Sequence, residues 1–140
     1  MIILDTNVVS ELMRPTAAPE VLHWVNSVHR DQIFSTVITL YEIEFGIARL
    51  PPKPKKTLLQ NSWNAVRTEY LVGRILNLDP VSAGLAARMK ATAIANGNDS
   101  DICDLLVAAI AKREGFPVVT RNMKHFERLG VDVINPWHSA

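Results

Sequence analysis

The chain has 140 residues, 48% of them hydrophobic, enough to close one sizeable core without a disulfide or a structural metal. A single cysteine, Cys103, excludes an intramolecular disulfide, and the longest apolar run, LLVAAIA (105–111), falls far short of the ~20 residues that span a bilayer. Fifteen Lys and Arg against fourteen Asp and Glu leave a formal charge of +1, so net charge neither supports nor excludes a nucleic-acid partner.

One domain, 1–140, is expected, and the opening MIILDTN lacks a basic leader or signal core, which reads as cytoplasmic. Its apolar start, IIL, suits a short strand buried on both faces, and VVSELMR and PEVLHWVNSV carry apolar residues at helical spacing. QIFSTVI (32–38) is β-branched and aromatic and leads into TLYEIEFGIARL, a strand feeding a helix that Pro51 and Pro52 stop. Lys53, Lys55 and Lys56 in PPKPKK then read as a solvated linker rather than a phosphate contact. A helix is predicted over 57–75, a strand at ILNLD, and a helix from Pro80 to Gly97. SDICDLLVAAIAKREG runs from a capping Ser100 to a terminal Gly115; PVVT, NMKHFERLG and VDVINP close the chain as strand, helix and strand. This alternation predicts an α/β fold, a three-layer sandwich with a mostly parallel central sheet, in which ligands bind at the carboxyl ends of the strands.

Three acids stand out against that frame. Asp5 directly follows the first strand beside Thr6 and Asn7, although DTN reads equally as a helix cap. Glu42 is placed in the first turn of the helix after the second strand, where Thr39 and Glu42 also fit a T-x-x-E capping box. Asp104 has the apolar helical neighbours Val107, Ala108 and Ala111 and no Lys or Arg three or four residues away, so an ordinary surface ion pair does not explain it. Two carboxylates ~4 Å apart repel by about 4 kcal/mol at an effective dielectric of 20, so converging acids must take up protons or bind a cation. With oxygen donors and no His or Cys at transition-metal spacing, Mg²⁺ or Mn²⁺ is the expected ion. Thr120 and Asn122 follow the strand PVV at the next carboxyl edge, where Asn122 alternatively caps the short helix.

DTN, TLYEIEFGIARL, SDICDLLVAAIA, VVTRNMKHFE and VINPW together resemble a PIN-domain ribonuclease over 1–138, and more narrowly a VapC-type toxin of a type II toxin-antitoxin pair. The resemblance implies metal-dependent cleavage of RNA with Asp5, Glu42 and Asp104 as metal ligands. It also implies a cognate antitoxin, a homodimer and no membrane. Asn122 stands where many members carry a fourth acid, with Asp101 as a candidate substitute. Thr6, Asn7 and Thr120 are expected to orient the ligands, and Arg121 and His125 to hold RNA phosphates, while Lys124 beside them reads rather as part of a solvated helix face. A PIN domain that has lost catalysis and serves as a binding module is the alternative. A haloacid-dehalogenase phosphatase needs a second Asp where Asn7 stands, and a receiver domain needs an Asp after the middle strand QIFSTVI; neither fits.

Overall fold

In the computed structural model, which describes residues 1–138 of the expected 1–140 span, five short strands form one sheet. These are β1 (Ile2–Leu4), β2 (Ile33–Thr36), β3 (Ile75–Leu76), β4 (Val118–Val119) and β5 (Val133–Ile134), in the order β3-β2-β1-β4-β5. Every pairing is parallel, so the sheet is more uniform than the mostly parallel one expected. The chain builds outward from β1 through β2 and β3, then returns to add β4 and β5 on the other side. The carboxyl ends of β1 and β4 therefore flank the point where strand order reverses, the place where open α/β sheets offer a crevice.

Among the described residues seven α-helices, α1 (Thr6–Met13), α2 (Pro19–Ser27), α3 (Val37–Ala48), α4 (Pro54–Tyr70), α5 (Pro80–Ala95), α6 (Ile102–Glu114) and α7 (Met123–Glu127), cover the two faces. Period-two alternation along β1 sends Ile2 and Leu4 into one core with Val8, Val25, Ile47 and Trp63. It sends Ile3 into the other, with Val107, Ala108 and Phe126. The small residues of α6 fit it closely against α5 and into this core; Ala108, Ala109 and Ala111 are all buried.

Local chemistry moves several predicted boundaries. The second strand ends at Thr36, whose side chain caps α3 by accepting from the Thr39 amide, so the Thr39–Glu42 capping box does not form and Glu42 lies in the second turn rather than the first. Pro54 stands at the first position of α4, where its missing N–H costs nothing, and the helix ends at Tyr70. Lys55 and Lys56 therefore belong to a helix rather than a linker, and Lys56 Nζ donates to the Ala48 and Leu50 carbonyls. Asp101, not Ser100, caps α6, its Oδ1 accepting from the amides of Cys103 and Asp104.

Gly115 ends α6 with φ +75°, and no heavy atom lies within 4 Å of where a Cβ would stand. Gly46, inside α3, has equally open space. Gly115→Ala should therefore destabilise the protein by about 1 kcal/mol through backbone strain alone, whereas Gly46→Ala should stabilise it by about 0.5–1 kcal/mol. Urea unfolding with unchanged m-values reads both, and equal signs would contradict this account.

Candidate active site

Asp5 occupies the N-cap position of α1 yet makes no side-chain capping bond, which removes the simple structural reading of DTN. The residue is 3% exposed, and its carboxylate turns instead toward the end of β4. There the Thr120 hydroxyl donates to Asp5 Oδ2 at 2.8 Å, and Asn7 Nδ2 approaches the same oxygen at 3.4 Å. Thr120 Oγ1 accepts in turn from Asn7 Nδ2 at 3.1 Å and from the Asn122 amide at 3.0 Å, which fills its bonding capacity. Asn7 Oδ1 accepts from the Arg121 amide at 3.1 Å. Asn7 and Thr120 thus belong to one chain of bonds ending on Asp5.

Glu42 is held separately. Thr6 Oγ1 donates to Glu42 Oε1 at 2.6 Å and lies 3.1 Å from Thr39 Oγ1. With the Thr6 proton directed at the carboxylate, Thr39 is the donor of that second bond. The Cys103 thiol also hydrogen-bonds Glu42, and burial together with the charges of Glu42, Asp101 and Asp104 pushes the thiol up to about 11. Sequence reasoning treated Thr39 as a cap and Cys103 as core, and so missed both contacts: Thr39, one helical turn before Glu42 on α3, meets Thr6 of α1, and Cys103 reaches Glu42 from α6.

Asp104, in the first turn of α6, has a side chain 18% exposed and is paired after all: its Oδ2 lies 3.0 Å from His125 Nδ1 on α7. Because a carboxylate only accepts, Nδ1 carries the proton. His125 is thus placed against an acid, where a phosphate contact had been expected. Asp101 is committed to capping α6, and Arg121 stacks over the Trp137 ring at 4.4 Å. Asn122 is exposed and its side chain makes no capping bond.

The three acids sense one another. Burial raises the Asp5 carboxyl to about 6, against the opposing bond from Thr120, and the nearby charges of Asp104 and Glu42 raise it further. In this conformation Thr6 and His125 hold Glu42 and Asp104, and among the described residues no three acidic, His or Cys side chains converge on one ion position. The donor chemistry itself is that of a hard, oxygen-seeking divalent cation: carboxylates supported by hydroxyl and amide groups, with the most buried of them left short of positive charge.

Acids gathered near the reversal point of an all-parallel sheet mark a recognisable class of α/β protein, and comparison gives the class a name. Residues 2–131 match the PIN domain family, and the chain belongs to it. Over all 140 residues it is 36% identical to the VapC ribonuclease Y4jK of Sinorhizobium fredii, covering 100% of both chains. It is 34% identical over 138 residues to the toxin FitB of Neisseria gonorrhoeae, covering 99% of each. The crystal structure of FitAcB from the same species superimposes with a TM-score of 0.89 at 34% identity, covering 99% of this chain and 100% of that one.

A raised carboxyl pKa has a definite sign. The folded protein holds the Asp5 proton more tightly than the unfolded chain, so this group lowers stability as pH rises from about 4 through about 6, by up to ~3 kcal/mol. In EDTA, the stability gain of Asp5→Asn over the parent should be near zero at pH 4 and approach that value above pH 7. Denaturant titrations of both proteins across pH measure it; a difference independent of pH would contradict the assignment.

Proposed function

We propose that the chain is a Mg²⁺- or Mn²⁺-dependent endoribonuclease, the cytoplasmic toxin of a type II toxin-antitoxin pair. The observation that carries this reading is the buried Asp5 carboxylate, raised to about 6 and electrostatically coupled to Glu42 and Asp104, at the carboxyl edge of a PIN-domain sheet. Relatives covering the whole chain carry the names ribonuclease and toxin, which supports the substrate class and the biological role. A cognate antitoxin, an RNA substrate and a homodimer are the proposed partners. Among the described residues no helix is long and apolar enough to cross a membrane.

Asp5, Glu42 and Asp104 would hold the ion as ligands rather than act as nucleophiles. When bound, the ion supplies Lewis acidity, neutralising charge on the phosphodiester and activating water for in-line attack. The protein's own part is positioning. Thr120 and Asn7 fix Asp5, Thr6 and Thr39 fix Glu42, and His125 fixes Asp104; such supporting partners are typically worth 10–100-fold in affinity or activity. Asn122 contributes an amide where an acid would add charge, which favours fewer bound ions and keeps the non-catalytic binding module as the second reading.

The test is cleavage of a pool of tRNA and rRNA by purified protein in Mg²⁺, Mn²⁺ or EDTA. Asp5→Asn, Glu42→Gln and Asp104→Asn should each lower the rate on the order of 10²-fold or more, about 3 kcal/mol of transition-state stabilisation, and EDTA should abolish it. Metal-independent cleavage, or full activity in Asp5→Asn, would refute the site. Metal binding with no cleavage would favour the binding module.

A further inference from the structure

An RNA strand approaching three carboxylates is repelled, so its grip must come from cations beside the acidic crevice, not within it. Several of the fifteen Lys and Arg are committed elsewhere, and Arg49, Lys53, Lys55 and Lys124, which pair with no acid among the described residues, do not line the cavity between α5 and α6. Arg14, Arg30, Lys90 and Arg113 pair with Glu11, Glu69, Asp99 and Asp79, and Arg121 lies over Trp137. Arg88, Lys112 and Arg128 pair with no acid among the described residues, and all three are exposed.

These three line one cavity of about 330 Å³ between α5, α6 and the turn after α7. Its apolar wall is Met89, Ala93 and Leu129. Arg88 and Thr92, like Met89 and Ala93, are four residues apart, so a single face of α5 supplies one side. Across from it, a Cβ at Gly130 would come within 3.2 Å of Lys112 Nζ; the glycine leaves room for the ammonium group over the turn. The cavity adjoins the crevice of about 140 Å³ that contains Asp104 and His125, with Asn98, Ser100 and Arg128 lining both. Asp99, one of the acids lining that crevice, is paired with Lys90.

We propose that this cavity is an RNA subsite. Arg88, Lys112 and Arg128 hold backbone phosphates of the strand flanking the scissile bond, and the apolar wall receives a ribose or base. An acidic protein segment would match the charge equally, but it would have no need of a path leading to Asp104. The inference rests on the ribonuclease reading above for its substrate.

The test is fluorescence anisotropy of a fluorescein-labelled, mixed-sequence single-stranded RNA over a KCl series, using Asp5→Asn protein with and without Arg88→Gln/Lys112→Gln. The double change should weaken binding on the order of 10-fold and lower the slope of log K against log salt by about 0.7 per cation removed. Arg88→Lys should keep the slope, since a phosphate contact here needs only a point charge, and Lys53→Gln should change nothing. In protein with Asp5 intact, Arg88→Gln/Lys112→Gln should raise KM for RNA and leave kcat unaltered. An unchanged slope, or a loss confined to labelled oligoglutamate, overturns the subsite. If the protein cuts no RNA yet the slope falls as stated, the subsite stands and the nuclease reading fails; if it cuts and the slope is unmoved, the reverse holds.

Discussion

The burial of one carboxylate organises this molecule. Asp5 sits at the end of the central strand with 3% of its surface exposed, where an ionised group without compensation is strongly disfavoured. Compensation comes from the neighbouring strand: the Asp5 amide donates to the Val119 carbonyl at 3.0 Å, and one residue further on the Thr120 hydroxyl reaches the carboxylate. That contact exists only because β1 and β4 are parallel neighbours in the register Leu4↔Val119. The bond spans 115 residues and ties the first strand to a strand added after six helices. Compensation is incomplete, and the pKa of about 6 records the remainder.

The three acids differ in how firmly they are held. Asp5 is fixed by a hydroxyl whose other bonds are all occupied, itself fixed by Asn7, so its position is set by the sheet. Glu42 and Asp104 each rest on a side chain from another helix, Thr6 on α1 and His125 on α7. A rigid buried anchor with two acids held at its flanks is an arrangement that gains from a cation: the anchor lacks positive charge, and the flanking groups have partners suited to orienting them. The geometry thus links the electrostatic cost at β1 to the proposed chemistry through oxygens of defined placement.

Much of this was readable in residue order. Asp5 is legible because an apolar run stops at an acid, and Gly115 and Gly130 because both adopt the positive φ that ends a helix. The short strands and their helices follow from periodicity. What failed locally failed where two residues competed for one role. Thr36 and Thr39 both cap well, as do Ser100 and Asp101, and only the strand's true end or the backbone entering α6 decides between them. Lys55 and Lys56 looked like linker because the prolines around them suggested a break, whereas Pro54 starts a helix. The Asp104–His125 pair, 21 residues apart on different helices, and the strand order that joins Asp5 to Thr120 carry no local signal at all.

The most direct measurement is the titration of the Asp5 side-chain carbonyl by carbon-13 NMR, with the parent and Asp5→Asn spectra compared to assign the resonance, in EDTA and then with Mg²⁺. The account predicts a metal-free pKa of about 6 that falls when the cation is added, because positive charge beside the carboxylate replaces the water it has lost. A pKa in the ordinary aspartate range, unmoved by Mg²⁺, would contradict the claim that Asp5 is a buried anchor awaiting a cation.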